Sequence, residues 1–228
     1  YAANHNKLDF VYLLLSDINN FLPLKSFYNC SSLEKISIPI SVTEIGESSF
    51  EGCFSLSEID IPYSVKIIGK KAFKDCKSLE TILIPQSVNT IEEYCFYRCL
   101  SLSKVILPSS LVSIKDSAFS KCEKLGNLIL PSSLKLIGKS VFEGCIKLNE
   151  VLIPSSLNEI NDSLFKGCIS LLKIKLPSSI IKIGSKAFME CTGLQSISLN
   201  NCSSLQFLEE YCFAKCYSFK RIIIPSSV

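Results

Sequence analysis

Cysteine is the residue type in this chain with the widest chemical reach, because thiols form disulfides, bind soft metals and act as nucleophiles. The chain has 228 residues, of which 12 are cysteines. Nine of them occupy one position of a repeated pattern: Cys30, Cys53, Cys76, Cys99, Cys122, Cys145, Cys168, Cys191 and Cys216. A cysteine held at one repeat position predicts a reduced, buried ladder, since free Cys packs as a small hydrophobe. Disulfide bridges are the alternative.

The other three cysteines give no sharper chemical signal. Cys95 and Cys212 lie four residues before a ladder cysteine, and Cys202 stands alone. No histidine or second pair accompanies these C-x-x-x-C pairs, so they are weak metal or redox motifs. The one histidine, His5, is expected to be a solvated residue at a helix end. Without a phosphate-binding loop or a G-x-S-x-G motif, the sequence predicts no enzyme, no cofactor and no metal site.

Charge and hydropathy restrict the classes of partner. Lys and Arg number 24 against 21 Asp and Glu, and the net charge of +3 is scattered along the chain, which argues against a nucleic-acid partner. The longest apolar run, FVYLLL at 10–15, is far shorter than the ~20 residues of a membrane-spanning helix. We therefore predict no membrane insertion by this chain. Its start at Tyr1 and its end at Val228 within a repeat favour a piece of a longer protein.

A repeat organises most of the sequence. Phenylalanine recurs at positions 27, 50, 73, 96, 119, 142, 165, 188 and 213, so that seven steps are 23 residues and the last is 25. The extra residues fall within SLNNCSSLQFL, where we expect a bulged loop to absorb them. A fixed period of this length predicts a solenoid whose units bury their apolar faces only by stacking.

Each repeat predicts its own local structure. In LETILI, Ile82 and Ile84 lie two residues apart at positions that stay apolar in every repeat, which is typical of a short strand with one buried face. Pro85 ends that strand. A second extended piece, SVNTI, points Val88 and Ile91 inward, and a tight helical turn follows. The intervening position is expected to adopt a positive φ angle, since it is mostly glycine; its members are Gly46, Gly69, Gly138, Gly184 and Asn161.

The pattern L-x-x-I-x-I-P-x-S-V-x-x-I-G-x-x-A-F-x-x-C resembles the BspA-like (bacterial surface antigen) class of leucine-rich repeats over residues 27–228. The resemblance implies an α/β solenoid, a leucine-rich-repeat array of about nine 23-residue coils with a concave parallel β-sheet. It also implies a cell-surface adhesin or antigen.

Residues 1–26 do not fit the repeat and form a separate predicted unit. Leu8, Val11, Tyr12 and Leu15 fall on one helical stripe, which predicts an N-terminal capping helix. AANHNKLDFVYLLL also resembles the paired helices of an ankyrin repeat. Both interpretations stay open, and the ankyrin-like one implies a cytoplasmic location in place of the cell surface.

The candidate binding residues lie on the strands, where alternation turns the eighth and tenth positions after each phenylalanine outward to the concave face. Four consecutive coils carry an aliphatic residue at the tenth position: Leu83, Ile106, Ile129 and Leu152. Acidic Glu58 and Asp60 flank one end of this stripe, and basic Lys173 and Lys175 flank the other. An apolar patch with a polar rim predicts a protein-binding site. Exposed aliphatic residues that simply favour strands are the alternative.

The sequence thus predicts a non-catalytic protein-binding or adhesion module whose partner docks on the concave face. Two alternatives remain. One is a structural spacer without a partner of its own, and the other is an intracellular scaffold that combines ankyrin and leucine-rich repeats.

Overall fold

The computed structural model describes residues 20–228, which form a parallel β-solenoid of about eight turns, each of roughly 23 residues. We call each turn a coil. Every strand pairing in the described residues is parallel, and partners such as Leu83 and Ile106 lie one repeat apart. This confirms the predicted repeat architecture. No described residue is helical, and none of them forms a helix long and apolar enough to cross a bilayer.

Two columns of short strands run along the array. The first column has three residues per strand: β2 (Lys35–Ser37), β4 (Glu58–Asp60), β6 (Thr81–Leu83), β8 (Lys104–Ile106), β10 (Asn127–Ile129), β12 (Glu150–Leu152), β14 (Lys173–Lys175) and β16 (Ser196–Ser198). The second has two: β1 (Phe21–Leu22), β3 (Glu44–Ile45), β5 (Ile67–Ile68), β7 (Thr90–Ile91), β9 (Ser113–Ile114), β11 (Leu136–Ile137), β13 (Glu159–Ile160), β15 (Lys182–Ile183) and β17 (Phe207–Leu208). The central residue of each three-residue strand is buried, as the alternation predicts.

The ends of the array differ from the prediction. Arg221 to Ile223, the strand expected in the ninth repeat, are not in a strand. At the other end, β1 already pairs with β3, so residues 21–22 of the predicted N-terminal unit contribute to the second column. The helical stripe of residues 8–15 lies outside the described residues, and the division of the chain at residue 26 stays a prediction.

The predicted helical turn is wrong, and the third wall of each coil is instead a column of turns. Around Phe73, Lys71 and Asp75 both have positive φ angles of 58° and 60°, and equivalent positions repeat this in each coil. The N–H groups of Lys71, Phe73 and Asp75 donate to carbonyl oxygens of the next coil at 2.8–3.0 Å. An α-helix needs successive N–H groups to bond four residues back within one segment. Here the alternate groups bond the neighbouring coil, and no helix can form.

Phenylalanine rings fill the interior beside this wall. Rings of neighbouring coils stack from Phe27 to Phe213 with centroid separations of 5.2–6.1 Å. The rings from Phe50 to Phe188 have no solvent exposure. Each offset stack adds about 0.5–1.5 kcal/mol to the gain from burial. The 25-residue step is absorbed as expected, since Ile183 still pairs with Leu208.

The glycines between the two strands of a coil allow the backbones of neighbouring coils to lie close together, and they do not adopt positive φ angles. None of Gly46, Gly69, Gly138 and Gly184 adopts the left-handed region; the glycines that do are Gly52, Gly144 and Gly167. A Cβ atom on Gly138 would lie 2.6 Å from the backbone nitrogen of Asp116 in the preceding coil. At the equivalent position Asn161 donates from Nδ2 to the Ile137 carbonyl at 2.6 Å. The expected positive φ at the four glycines is therefore wrong, and in their coils the backbone of the preceding coil approaches too closely for an added Cβ atom.

Ion pairs also join neighbouring coils. They are Lys35–Glu58, Lys70–Glu93, Lys74–Glu51, Arg98–Asp75, Lys139–Asp162, Lys166–Glu143, Lys182–Glu209 and Lys215–Glu190. Most of these side chains are substantially exposed, so each pair is worth at most about 1 kcal/mol. They therefore contribute little to the stability of the array.

Replacing Phe119 by alanine should lower the free energy of unfolding by about 3–5 kcal/mol, since the ring is fully buried between two others. The loss should also uncouple the two halves of the array and broaden the urea transition. Phe207→Ala is the control, because that ring is 54% exposed. Equal losses in the two variants would contradict a core built on the ring stack.

Gly138→Ala should destabilise the protein by about 1–3 kcal/mol, because the new methyl group overpacks the contact with Asp116. Gly126→Ala is a matched control in the same coil, where the nearest atom to an added Cβ lies 3.9 Å away. Thermal unfolding of both variants measures the difference. A Gly138→Ala protein as stable as Gly126→Ala would show that the backbone around Asp116 accommodates a Cβ atom at position 138.

Candidate binding face

The outward side of the first strand column presents two parallel rows of side chains. We call it the strand face. Each three-residue strand buries its middle residue and exposes its first and third residues to solvent. The isoleucines on both sides of Leu83, at 82 and 84, are 1–2% exposed and hold that strand against the core. The strand therefore has no freedom to rotate its outward residues inward.

The four predicted aliphatic residues stand in one row of this face. Leu83 is 58% exposed, Ile106 45%, Ile129 83% and Leu152 66%. Leu83 is the strand partner of Ile106, and Ile129 is the partner of Leu152. Since adjacent strands lie about 4.8 Å apart, the four side chains cover roughly 15 Å. The structure thus brings together the residues that the sequence places in a stripe.

The charged residues lie at the two ends of the same rows. Lys175 is the strand partner of Leu152 and continues the aliphatic row directly. Asp60 occupies the equivalent position in β4, beside β6. All four predicted charged residues, Glu58, Asp60, Lys173 and Lys175, are exposed. The predicted polar ends are therefore present on the solvent side of the sheet.

One contact at the acidic end was not predicted. Lys35 of β2 forms an ion pair with Glu58 of β4. The hydrogen bond and the charge of Glu58 raise the pKa of the Lys35 ammonium above its ordinary value. Glu58 is thus partly neutralised within the chain. Asp60 and Lys175 take part in no ion pair among residues 20–228.

A cleft on the turn wall was also missed. It has a volume of about 390 Å³ and lies over Gly144 and Gly167, which occupy consecutive coils at the position two after phenylalanine. Lys166 donates to the Glu143 carboxylate at 2.9 Å beside it. Burial opposes ionisation of Glu143, yet hydrogen bonds from Lys166 and a serine outweigh it and lower its pKa. Two successive glycines in a column of larger residues were the available sequence signal.

The cysteine ladder is buried, as predicted, and it is also hydrogen-bonded. Cys53 through Cys191 have no exposure, whereas Cys30 is exposed and Cys216 half-buried at the two ends of the ladder. Each thiol from Cys53 to Cys216 lies 3.0–3.2 Å from the carbonyl oxygen of the phenylalanine that starts the preceding coil. That oxygen also accepts the backbone N–H of the cysteine in its own coil. Cysteine therefore supplies both a small apolar volume and a weak donor.

Burial makes these thiols poor nucleophiles. Desolvation raises the pKa of Cys53 and of Cys145 to about 12, far above the ordinary value of 9.0. The thiolate is the reactive form, and it is suppressed at neutral pH. Among residues 20–228 no group of three or more His, Cys, Asp or Glu side chains is placed to hold a metal ion.

Comparison with known proteins gives one consistent result. The profile of the BspA type leucine rich repeat region matches the chain in six copies, over residues 20–149 and 112–228. No curated protein sequence matches the chain significantly.

Solved structures of leucine-rich repeat proteins have similar folds. The protein TpLRR from T. pallidum is 29% identical with a TM-score of 0.69, over 78% of this chain and 86% of that one. A leucine-rich repeat protein from Bacteroides ovatus is 32% identical with a TM-score of 0.70, over 90% of this chain and 64% of that one. The pneumococcal vaccine antigen PcpA is 25% identical with a TM-score of 0.57, over 86% of this chain and 57% of that one. This chain spans less than two thirds of the last two proteins.

The effect of Cys145→Ala on stability should depend on pH. At pH 7 the variant loses a buried hydrogen bond and some packing, so we expect a cost of about 1–3 kcal/mol in the free energy of unfolding. The folded pKa lies above the unfolded one, so the thiol's contribution is complete below pH 9 and declines toward pH 12. The decline approaches about 1.4 kcal/mol per pH unit.

Urea unfolding of the parent and the variant between pH 7 and pH 11 measures this difference. The stability gap should narrow above pH 9. Cys30→Ala, which removes an exposed thiol, is the control. A gap for Cys145→Ala that stays constant across the range would show that its thiol ionises as easily in the folded protein as in the unfolded chain.

Proposed function

The chain belongs to the BspA-type leucine-rich repeat family, and on that basis we propose that it is a non-catalytic protein-binding or adhesion module. The partner docks on the strand face defined above. Leucine-rich repeat proteins generally bind proteins, and a solenoid offers an extended surface whose residues vary while its core repeats. The finer part of the proposal, the site itself, rests on the exposed residues of this chain.

The exposed aliphatic row carries the proposal. Soluble proteins rarely expose contiguous apolar patches unless these serve binding, and partner sites combine an apolar centre with a polar rim. Here four aliphatic residues stand side by side, with Asp60 and Lys175 at the two ends. The second column offers no such row, since its exposed aliphatics Ile67 and Leu136 lie three coils apart.

The similarity to a pneumococcal vaccine antigen supports an outward-facing role at a cell surface. The intracellular scaffold, the alternative with ankyrin repeats, depends on residues 1–19, which lie outside the described residues. A structural spacer would need no apolar row on its strand face, and the row therefore favours binding.

Placing charge in the centre of the row should abolish partner binding without unfolding the array. We expect Ile106→Asp plus Ile129→Asp to reduce capture of partners from host-surface or cytosolic extracts at least tenfold, because hot-spot contacts cluster at the centre of an interface. Ile67→Asp plus Leu136→Asp is the control, since it adds the same charge to two exposed aliphatic residues on the second column. Far-UV circular dichroism checks the fold of both variants.

Two outcomes would contradict the proposal. Equal capture by the parent and the strand-face variant would move the site to another surface. Capture of nothing by the folded parent chain from either extract would favour the structural spacer.

A further inference from the structure

The third residues of six consecutive strands have a symmetric order. In chain order they are Asp60, Leu83, Ile106, Ile129, Leu152 and Lys175. About the centre of this row, isoleucine mirrors isoleucine and leucine mirrors leucine. The acidic residue at one end mirrors the basic residue at the other. A surface with this order is complementary to a second copy of itself turned end for end.

The first residues of the same strands obey the same rule. In chain order they are Glu58, Thr81, Lys104, Asn127, Glu150 and Lys173. Reversing the row places Glu58 opposite Lys173, Thr81 opposite Glu150, and Lys104 opposite Asn127. No two like charges meet in either row. The complementarity therefore extends over both rows of the strand face.

We propose that the strand faces of two copies of this chain pack against each other in a symmetric dimer with antiparallel arrays. The two-fold axis runs parallel to the strands, between β8 and β10. Ile106 of one copy then contacts Ile129 of the other, and Asp60 contacts Lys175. The same patch is used on both copies, as a closed two-fold interface requires. The inference rests on the proposed function, because it names a second copy of this chain as one partner of the same face.

Charge selects this arrangement over the other face-to-face symmetry. A two-fold axis along the array would keep the arrays parallel and place each first residue against the third residue of the equivalent strand. Asp60 would then meet Glu58 of the second copy, and Lys175 would meet Lys173. Juxtaposed like charges cost several kcal/mol in an interface. Only the antiparallel arrangement pairs opposite charges at both ends.

The size of the face sets the strength of the dimer. Six strands at about 4.8 Å span roughly 24 Å, and the exposed width of a three-residue strand is about 10 Å. The area of the face, roughly 240 Å² as the product of these two lengths, is smaller than the ~800 Å² per partner of a stable interface. We therefore expect only a weak, transient dimer. The pair is best detected at high protein concentration and low salt.

Reciprocal charge variants test the axis. Asp60→Lys places two like-charge contacts in each dimer, and so does Lys175→Asp, so each variant alone should self-associate at least about tenfold more weakly. An equimolar mixture of the two variants restores opposite charges at both ends and should associate as the parent does. Sedimentation equilibrium of the full 228-residue chain, up to about 1 mM, measures all three samples. Glu159→Lys on the second column is the control, because its charge change lies off the strand face.

Dimerisation by the parent, its loss in each single variant and its recovery in the mixture would support the proposal. A parent that stays monomeric, or a mixture that fails to associate, would overturn it. The capture of partners from host-surface or cytosolic extracts tests the proposed binding function independently of the dimer. A monomeric chain whose captured partner is lost on Ile106→Asp plus Ile129→Asp keeps the proposed function and refutes the dimer.

Discussion

The backbone hydrogen bond between neighbouring coils is the interaction on which this structure depends. It joins coils in all three walls. Each strand column is divided into three parallel ladders, and the alternate N–H groups of the turn wall bond the next coil, as between Phe73 and Cys95. Because each coil takes most of its bonds from its neighbours, a coil alone would leave its backbone polar groups to water and its apolar side chains uncovered. The same step from coil to coil that pairs the backbone groups also stacks each phenylalanine ring on the next and brings each ladder thiol within hydrogen-bond distance of a carbonyl oxygen.

The sequence predicts the buried part of this fold well, because burial has a period that can be read directly. The inward positions of both strand columns, the phenylalanine stack and the cysteine ladder all follow from residues that recur every 23 positions. The turn wall could not be predicted in the same way. Its positive φ angles fall mostly on lysine, serine, tyrosine and acidic residues, whose types give no signal of the left-handed conformation. Tertiary hydrogen bonds impose that conformation.

The surface was predictable only where a single strand determines it. Alternation alone predicts that Leu83, Ile106, Ile129 and Leu152 point to solvent in one row. The pairing of Lys35 with Glu58 involves two coils, and a search for opposite charges one repeat apart would have found it. The cleft over Gly144 and Gly167 forms because these two residues have no side chains. A repeat pattern defined by its recurring apolar residues does not predict it. The core residues of this array recur in every coil and predict the fold, whereas the surface residues vary from coil to coil and must be considered one by one.

The direction of the inter-coil bonds has a mechanical consequence. A pull between the two ends of the array acts along the bonds that join successive coils and loads every junction equally. A terminal coil has only one neighbour to hold it and therefore peels away first. Each released coil of 23 residues can extend to roughly 75–80 Å, whereas its stacked thickness is about 5 Å. The array therefore lengthens under tension in discrete steps of one coil, and the coils that remain folded keep their ring stacks and strand pairings.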